Sequence, residues 1–204
     1  DEGLICLQSK DAPADRISLV PDQFISPAPI PNAIQDVIEV NLETDFAPSA
    51  INDFLFRKTP RFLNGPKNPI LEPNLSADAF IKSIILAANE LDNSYLCIQG
   101  PPGAGKTFTA RKVIGDLIAK GKRIGISSNS HKAIINLMDG VADHLIENNI
   151  TGKLIKIGSN DEDPFFSKKN VTHRKDAKAC GNELNDSSLC IGGTAWLFCN
   201  SAMT

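Results

Sequence analysis

The stretch Gly100-Pro101-Pro102-Gly103-Ala104-Gly105-Lys106-Thr107 constrains this chain more than any other. A glycine, four residues and then Gly-Lys-Thr is the spacing of a phosphate-binding loop. Glycines let the backbone turn tightly, so that successive N–H groups point at one phosphate. An accidental Gly-rich turn would lack the flanks seen here. Tyr95-Leu96-Cys97-Ile98 reads as a short buried strand before the loop. After it, Phe108 to Lys120 carries apolar residues at helical spacing: Ala110, Val113, Ile114, Leu117 and Ile118. The start of that helix adds a partial positive charge at the same point. Lys106 is then expected to reach the β- and γ-phosphates of a nucleoside triphosphate, and the Thr107 hydroxyl to complete a Mg²⁺ shell. Gly100 to Thr107, with Phe108 beside them, form the expected nucleotide contact, and Lys106 and Thr107 carry its chemistry.

The rest of the chain arranges itself around that loop. Leu4-Ile5-Cys6-Leu7 and Ile17-Ser18-Leu19-Val20 are short strand signals. Pro21, Pro27, Pro29 and Pro31 rule out a long helix between 21 and 31. Short helices fit Ala33 to Val40 and Ala47 to Phe56. Residues 1–60 thus read as the remnant of a preceding domain, and 61–75, rich in Pro and Gly, as a linker. Ser76 is a candidate N-cap for a helix with Phe80, Ile81, Ile84, Ile85, Ala88 and Leu91 along one stripe. Beyond the loop helix, Arg123 to Ser127 reads as a strand. Ser130 begins a long amphipathic helix over Ala133, Ile134, Leu137, Met138, Val141, Leu145 and Ile146. Lys153 to Ile157 and Ser188 to Ile191 read as further strands. Residues 158–186, with few apolar anchors, read as a long surface excursion or a partly mobile loop. Strand and helix alternate from 76 to 204, so the expected fold class is α/β. It comprises a parallel sheet with helices on both faces, incomplete, preceded by a small irregular β/α remnant. Right-handed crossovers bring Ser127 to Lys132 and Gly192 to Thr194 to the same sheet rim as Lys106.

Composition narrows the partners. No run of about 18 apolar residues exists, so no membrane partner is expected. The five cysteines are widely spaced with no Cys-x-x-Cys pair, which disfavours zinc and reads as free thiols in a reducing cytoplasm. The net charge of −3 is uneven: residues 1–60 hold ten acids and four bases, and the remainder fourteen acids and seventeen bases. The loop-bearing part is mildly basic, which permits a nucleic-acid partner without demanding one. The chain starts Asp1-Glu2-Gly3 and stops soon after Trp196-Leu197-Phe198, and reads as an internal piece of a longer protein.

The stretch Ser127-Ser128-Asn129-Ser130-His131-Lys132 sits where a strand meets a helix N-terminus. Its hydroxyls, amide and exposed N–H groups suit a phosphate oxygen, and equally suit plain helix capping by Ser130. Taken in order, Gln99 to Thr107, Ser128-Asn129-Ser130-His131-Lys132-Ala133 and Gly192-Gly193-Thr194-Ala195-Trp196-Leu197-Phe198 resemble motifs I, Ia and Ic of superfamily 1 helicases, in their first RecA-like domain. The resemblance covers roughly 70–200. It is strongest to the bacterial branch that carries a RecB-like nuclease at the N-terminus, and residues 1–45 faintly resemble the end of that family's small barrel and stalk. The resemblance implies that Gly103, Gly105, Lys106 and Thr107 hold ATP and Mg²⁺. It implies that Ser130, His131, Lys132 and Thr194 contact single-stranded nucleic acid, DNA rather than RNA. Asp78 stands where the family carries an adenine-reading Gln. The acidic Walker B residue and the second RecA-like domain with its arginine finger, a partner the family requires, are not among these residues. The chain by itself is therefore expected to be a poor ATP hydrolase and not to unwind a duplex.

Other stretches carry two readings each. Phe165-Phe166 before Lys168-Lys169 reads as the anchor of a long loop, or as a stacking contact for a strand. Trp196 reads as core. The Lys168 to Lys178 cluster reads as a solvated face, or as part of the nucleic-acid surface. Two rival functions stand beside the helicase: a small-molecule kinase with 158–178 as its lid, and a non-catalytic nucleotide-binding interaction module.

Overall fold

A run as apolar as Leu154-Ile155-Lys156-Ile157 belongs where a sheet is covered on both faces. In the computed structural model, which describes residues 26–67, 70–159 and 162–203, it lies inside a four-stranded sheet. The strands are β1 (Ile124–Ser127), β2 (Lys153–Ile157), β3 (Val171–Arg174) and β4 (Leu189–Gly193), all parallel, in the order β1-β4-β2-β3. Leu154 pairs with Cys190 on one side and Val171 on the other.

Six α-helices accompany the sheet among the described residues: α1 (Ile30–Glu43), α2 (Ala50–Leu55), α3 (Ala77–Asn89), α4 (Lys106–Ala119), α5 (His131–Glu147) and α6 (Ala195–Phe198). Helices α4 and α5 cover one face. Their Ile114, Ile118, Ile134, Met138, Val141 and Leu145 pack with Leu154, Cys190 and Phe165. Each such fully buried aliphatic side chain contributes roughly 1.5–3 kcal/mol. On the other face Ile155, Ile157, Leu189 and Ile191 meet Ala177 and Cys180, from a 3-10 segment, and Leu197 of α6. Gly192 marks the tightest approach: a Cβ there would run into Met138 and Ile134 of α5. The α/β parallel fold with helical cover on both faces is therefore present, and it is a RecA-like P-loop fold.

Several expectations change. Tyr95 to Ile98 is not a strand. No described strand lies beside it to complete a ladder, and Cys97 and Ile98 stay exposed. The stretch 158–186 is no free excursion. Phe165 is buried beneath α5, Val171 to Arg174 adds a strand at the sheet edge, and a 3-10 segment follows. A four-residue strand is too short to display its alternation, so the sequence pattern hid it. Trp196 is not core: it is exposed, and its indole N–H donates to the Ser26 carbonyl at 2.8 Å. α1 starts at Ile30, earlier than expected, because Pro31 falls in the first turn, where no amide hydrogen is needed. The strand signals at Leu4–Leu7 and Ile17–Val20 lie outside the described residues.

Segment 61–67 is held down by Phe62, which is buried and bridges to Leu91. Asp53 of α2, almost fully enclosed, accepts from Arg61 Nε at 2.9 Å and from the Ser94 hydroxyl at 2.8 Å. These hydrogen bonds, Ser94 first, hold its carboxyl below the ordinary aspartate range. Cys97, Cys180, Cys190 and Cys199 are free thiols, and no metal-ligand cluster occurs among the described residues. No described helix is long and apolar enough to cross a membrane.

Candidate functional site

Gly103 and Gly105 sit at φ +80° and +78°, a region that side chains with a Cβ avoid. With Gly105 as its N-cap, α4 starts at Lys106, two residues earlier than the apolar pattern suggests. The loop curls so that the Lys106 ammonium lies over its own backbone, donating to the Gly100 carbonyl at 2.6 Å and the Pro101 carbonyl at 2.8 Å. Nothing lies within 4 Å of where a Cβ would stand on Gly103 or Gly105, so the backbone there is open. Pro101, Pro102, Ala104, Lys106, Thr107 and Phe108 are exposed. Arg111 and Lys112 both lie over the Phe108 ring, at 4.7 and 4.6 Å from its centroid. An open glycine backbone at a helix N-terminus, with one ammonium inside and more cations one turn on, fits a polyphosphate. Thr107, in the first turn of α4, is exposed. Asp78 is exposed in the first turn of α3.

The second stretch opens α5. Ser130 is its N-cap, its hydroxyl accepting from the Ala133 amide at 3.4 Å, and the Ser128 hydroxyl accepts from the Ser130 amide at 3.3 Å. The amides of His131 and Lys132 belong to the first turn, which has no intrahelical acceptor. Lys132 has a 70% exposed side chain, and its ammonium pairs with Asp163 at 3.1 Å. The Phe165 amide and then Lys132 hold the Asp163 carboxyl below its ordinary range. His131 is half-buried, and its pKa is lowered by burial and then by the charge of Lys156. Thr194 follows β4 at the start of α6, and its hydroxyl makes no capping hydrogen bond.

Two contacts set α4 against α5. Gly140 of α5 faces Arg111 of α4, and Gly115 of α4 faces His144 of α5. The numbers rise together, so the helices run parallel, and Lys106 falls level with about Ile135, one turn along from His131. Both N-termini thus open on the carboxyl edge of the sheet, where β1 ends at Ser127 and β4 at Gly193. The structure brings the loop, the α5 start and Thr194 to one rim. Lys168 lines the same concavity as Lys132 and Asp163 but is tied to α5: burial opposes its charge, while Asp139 and Asp143, at 2.6 and 2.5 Å, outweigh that and raise its pKa. Phe165 and Phe166 anchor the α5 face, with Phe166 edge-on to His173 at 4.9 Å.

The residue that sequence reasoning passed over is Lys156. It lies in β2 and is completely buried, with its pKa lowered by that burial to about 8. A lysine inside an otherwise apolar strand was the available signal.

The geometry has counterparts among known proteins. A family model described as AAA domain matches residues 76–190, from just before α3 into β4. The DNA replication ATP-dependent helicase/nuclease DNA2 of Saccharomyces cerevisiae is 29% identical over 85 residues, covering 40% of this chain. The chain spans only 6% of that relative's length. No solved structure matches. With a phosphate loop opening α4 on a parallel sheet and the family model covering more than half of its length, this chain belongs to the AAA domain family.

Proposed function

We propose that this chain is the ATP-binding part of an ATP-dependent nucleic-acid helicase or translocase of superfamily 1, acting on single-stranded DNA. The observation that carries the proposal is the parallel pairing of α4 and α5, which opens a phosphate loop and a second amide-rich helix start on one rim. A kinase would need an acceptor site with a lid of its own, and in the stretch that would serve, Phe165 and Val171–Arg174 are instead built into the core and the sheet edge. The name of the yeast relative, a helicase/nuclease of DNA replication, supports the same reading.

In this reading Gly100 to Thr107 cradle the triphosphate, Lys106 holds its β- and γ-phosphates, Thr107 supplies a hydroxyl to Mg²⁺, and Phe108 borders the site. Hydrolysis of the bound nucleotide supplies the free energy of stepping. Ser130, His131, Lys132 and Thr194 hold the strand by its backbone, which suits a motor that must grip every sequence. A small shift of α5 against α4 couples the two grips, because the helices are packed along their lengths. Water positioning and charge neutralisation on the transferring phosphoryl group need further residues, an acidic motif and an arginine from a second RecA-like domain. We infer that these 204 residues alone bind ATP weakly and neither hydrolyse it at a helicase's rate nor unwind a duplex. We also propose that the parent protein is cytoplasmic and resembles the branch with a RecB-like nuclease. In that arrangement residues 1–60 end a barrel-and-stalk region and 61–75 link it to the motor.

Binding of a fluorescent ATP analogue tests the nucleotide half. Wild-type chain should bind it in the presence of Mg²⁺, and Lys106→Ala should weaken binding by roughly tenfold or more, as loss of a charge-assisted contact implies. Equal binding by the two proteins would overturn the assignment.

A further inference from the structure

We propose that Lys156 is a positioning residue for the strand grip: it fixes the ring of His131 so that Nε2–H is the hydrogen presented to a backbone phosphate. The proposal rests on the nucleic-acid reading above and adds to it a residue and a tautomer.

The geometry is specific. An ammonium has three N–H donors and no acceptor. The Lys156 ammonium has three acceptors: the Ile157 carbonyl at 2.6 Å, His131 Nδ1 at 3.0 Å and the Gly158 carbonyl at 3.2 Å. Facing a group that only donates, Nδ1 must accept, which leaves the ring proton on Nε2. Nε2 has no hydrogen-bond partner among the described residues. His131 is the first residue of α5, beside amides that lack intrahelical acceptors, so an Nε2–H there joins a set of donors already suited to an anionic oxygen.

The other cations nearby are already paired with carboxylates, and among the described residues Lys156 is not. Lys156 and Leu154 share the α5 face of β2, and β4 places Gly192 beside Lys156, which carries no charge of its own. From β3, His173 donates Nε2–H to the same Gly158 carbonyl at 3.2 Å. Arg174 is engaged with Glu183 at 2.6 Å. From α5, Lys132 is paired with Asp163. Among the described residues no carboxylate pairs with Lys156. A buried cation that is hydrogen-bonded yet not neutralised is costly, and a phosphate arriving at His131 would supply a counter-charge. The ammonium also opposes protonation of His131, keeping the ring a neutral donor at ordinary pH.

The test uses the 204-residue chain, ¹⁵N-histidine NMR across the acid range, and anisotropy of a labelled oligo-dT strand. In the wild type, His131 should show a protonated Nε2, a bare Nδ1 and titration below the ordinary imidazole range. Lys156→Met should let the ring sample both tautomers, raise its titration, and weaken oligo-dT roughly three- to tenfold, the effect of a mispositioned hydrogen bond. Lys156→Gln, which retains an N–H donor without the charge, should recover much of the tautomer preference and of the binding. An Nδ1–H tautomer in the wild type overturns the proposal. So does a ring unchanged by Lys156→Met, or oligo-dT affinity unchanged when the ring does change. A wild-type chain with the Nε2–H tautomer that fails to bind oligo-dT overturns instead the nucleic-acid reading beneath it.

Discussion

Lys156→Met should change how the stability of this chain depends on pH, and in a direction opposite to that of most charge deletions. Burial lowers the Lys156 pKa from 10.5 to about 8. Below pH 8 the ammonium is charged in both folded and unfolded chains, and the fold bears the full cost of burying it, about 3 kcal/mol at 1.36 kcal/mol per pH unit. As pH rises from the folded pKa toward the unfolded one, the unfolded chain binds more protons than the folded chain, so stability rises. By about pH 10 the remaining cost is about 1 kcal/mol, a gain of roughly 2 to 2.5 kcal/mol over about pH 7. Lys156→Met removes this group and no other titrating one, so the variant lacks that gain. At pH 7 the variant loses three hydrogen bonds worth roughly 1 kcal/mol each but escapes the cost of burying the charge, so its stability there should match the wild type closely. Urea unfolding followed by far-ultraviolet circular dichroism, on both proteins across this pH range, reads the difference directly. Stability curves that stay parallel would refute the reasoning, since they would mean that Lys156 titrates alike in folded and unfolded chains.

Gly192→Ala should lower unfolding stability by roughly 1–3 kcal/mol in urea titrations, because the new methyl group meets Met138 and Ile134 in a packed core. Gly105→Ala forces a Cβ onto a φ of +78°, so it should cost about 1 kcal/mol in stability and weaken binding of a fluorescent ATP analogue as the loop relaxes. Ser130→Ala removes the α5 cap and should cost about 0.5–1 kcal/mol by thermal unfolding, the low end for caps because the bond is long, at 3.4 Å. Lys132→Ala should reduce the salt dependence of oligo-dT affinity by about one unit of slope, the signature of one lost phosphate contact. Asp163→Asn, which releases Lys132, should tighten the same binding a few-fold.

The parts of this molecule legible in its sequence are those whose pattern repeats or whose chemistry is rigid. The phosphate loop was readable because Gly103 and Gly105 occupy backbone angles that only glycine adopts cheaply. Helices α3 and α5 were readable because their caps, Ser76 and Ser130, precede long apolar stripes. β2 was readable because Leu154, Ile155 and Ile157 make it mostly apolar despite Lys156. What escaped depends on neighbours. Tyr95 to Ile98 has the composition of a strand, but a strand exists only with a partner, and no described strand lies beside it. β3 is four residues long and becomes a strand only because β2 offers it an edge. Trp196, within the apolar stretch Ala195 to Phe198, read as core, yet its indole N–H donates to the Ser26 carbonyl at the surface, a contact across 170 residues that no local pattern encodes. Lys156 was passed over: two of its acceptors, the Ile157 and Gly158 carbonyls, are local, but the third, His131 Nδ1, arrives only when α5 starts above the end of β2.

The central claim is that one sheet rim carries both the phosphate loop and a grip for a single strand. Anisotropy of labelled oligo-dT at low salt tests it most directly, on three forms of the chain: wild type, Lys106→Ala, and the combined Ser130→Ala, His131→Ala and Lys132→Ala variant. The wild type and Lys106→Ala should bind alike, and the combined variant should lose roughly tenfold or more in affinity. Wild-type affinity in the combined variant, with its fold intact by circular dichroism, would contradict the account.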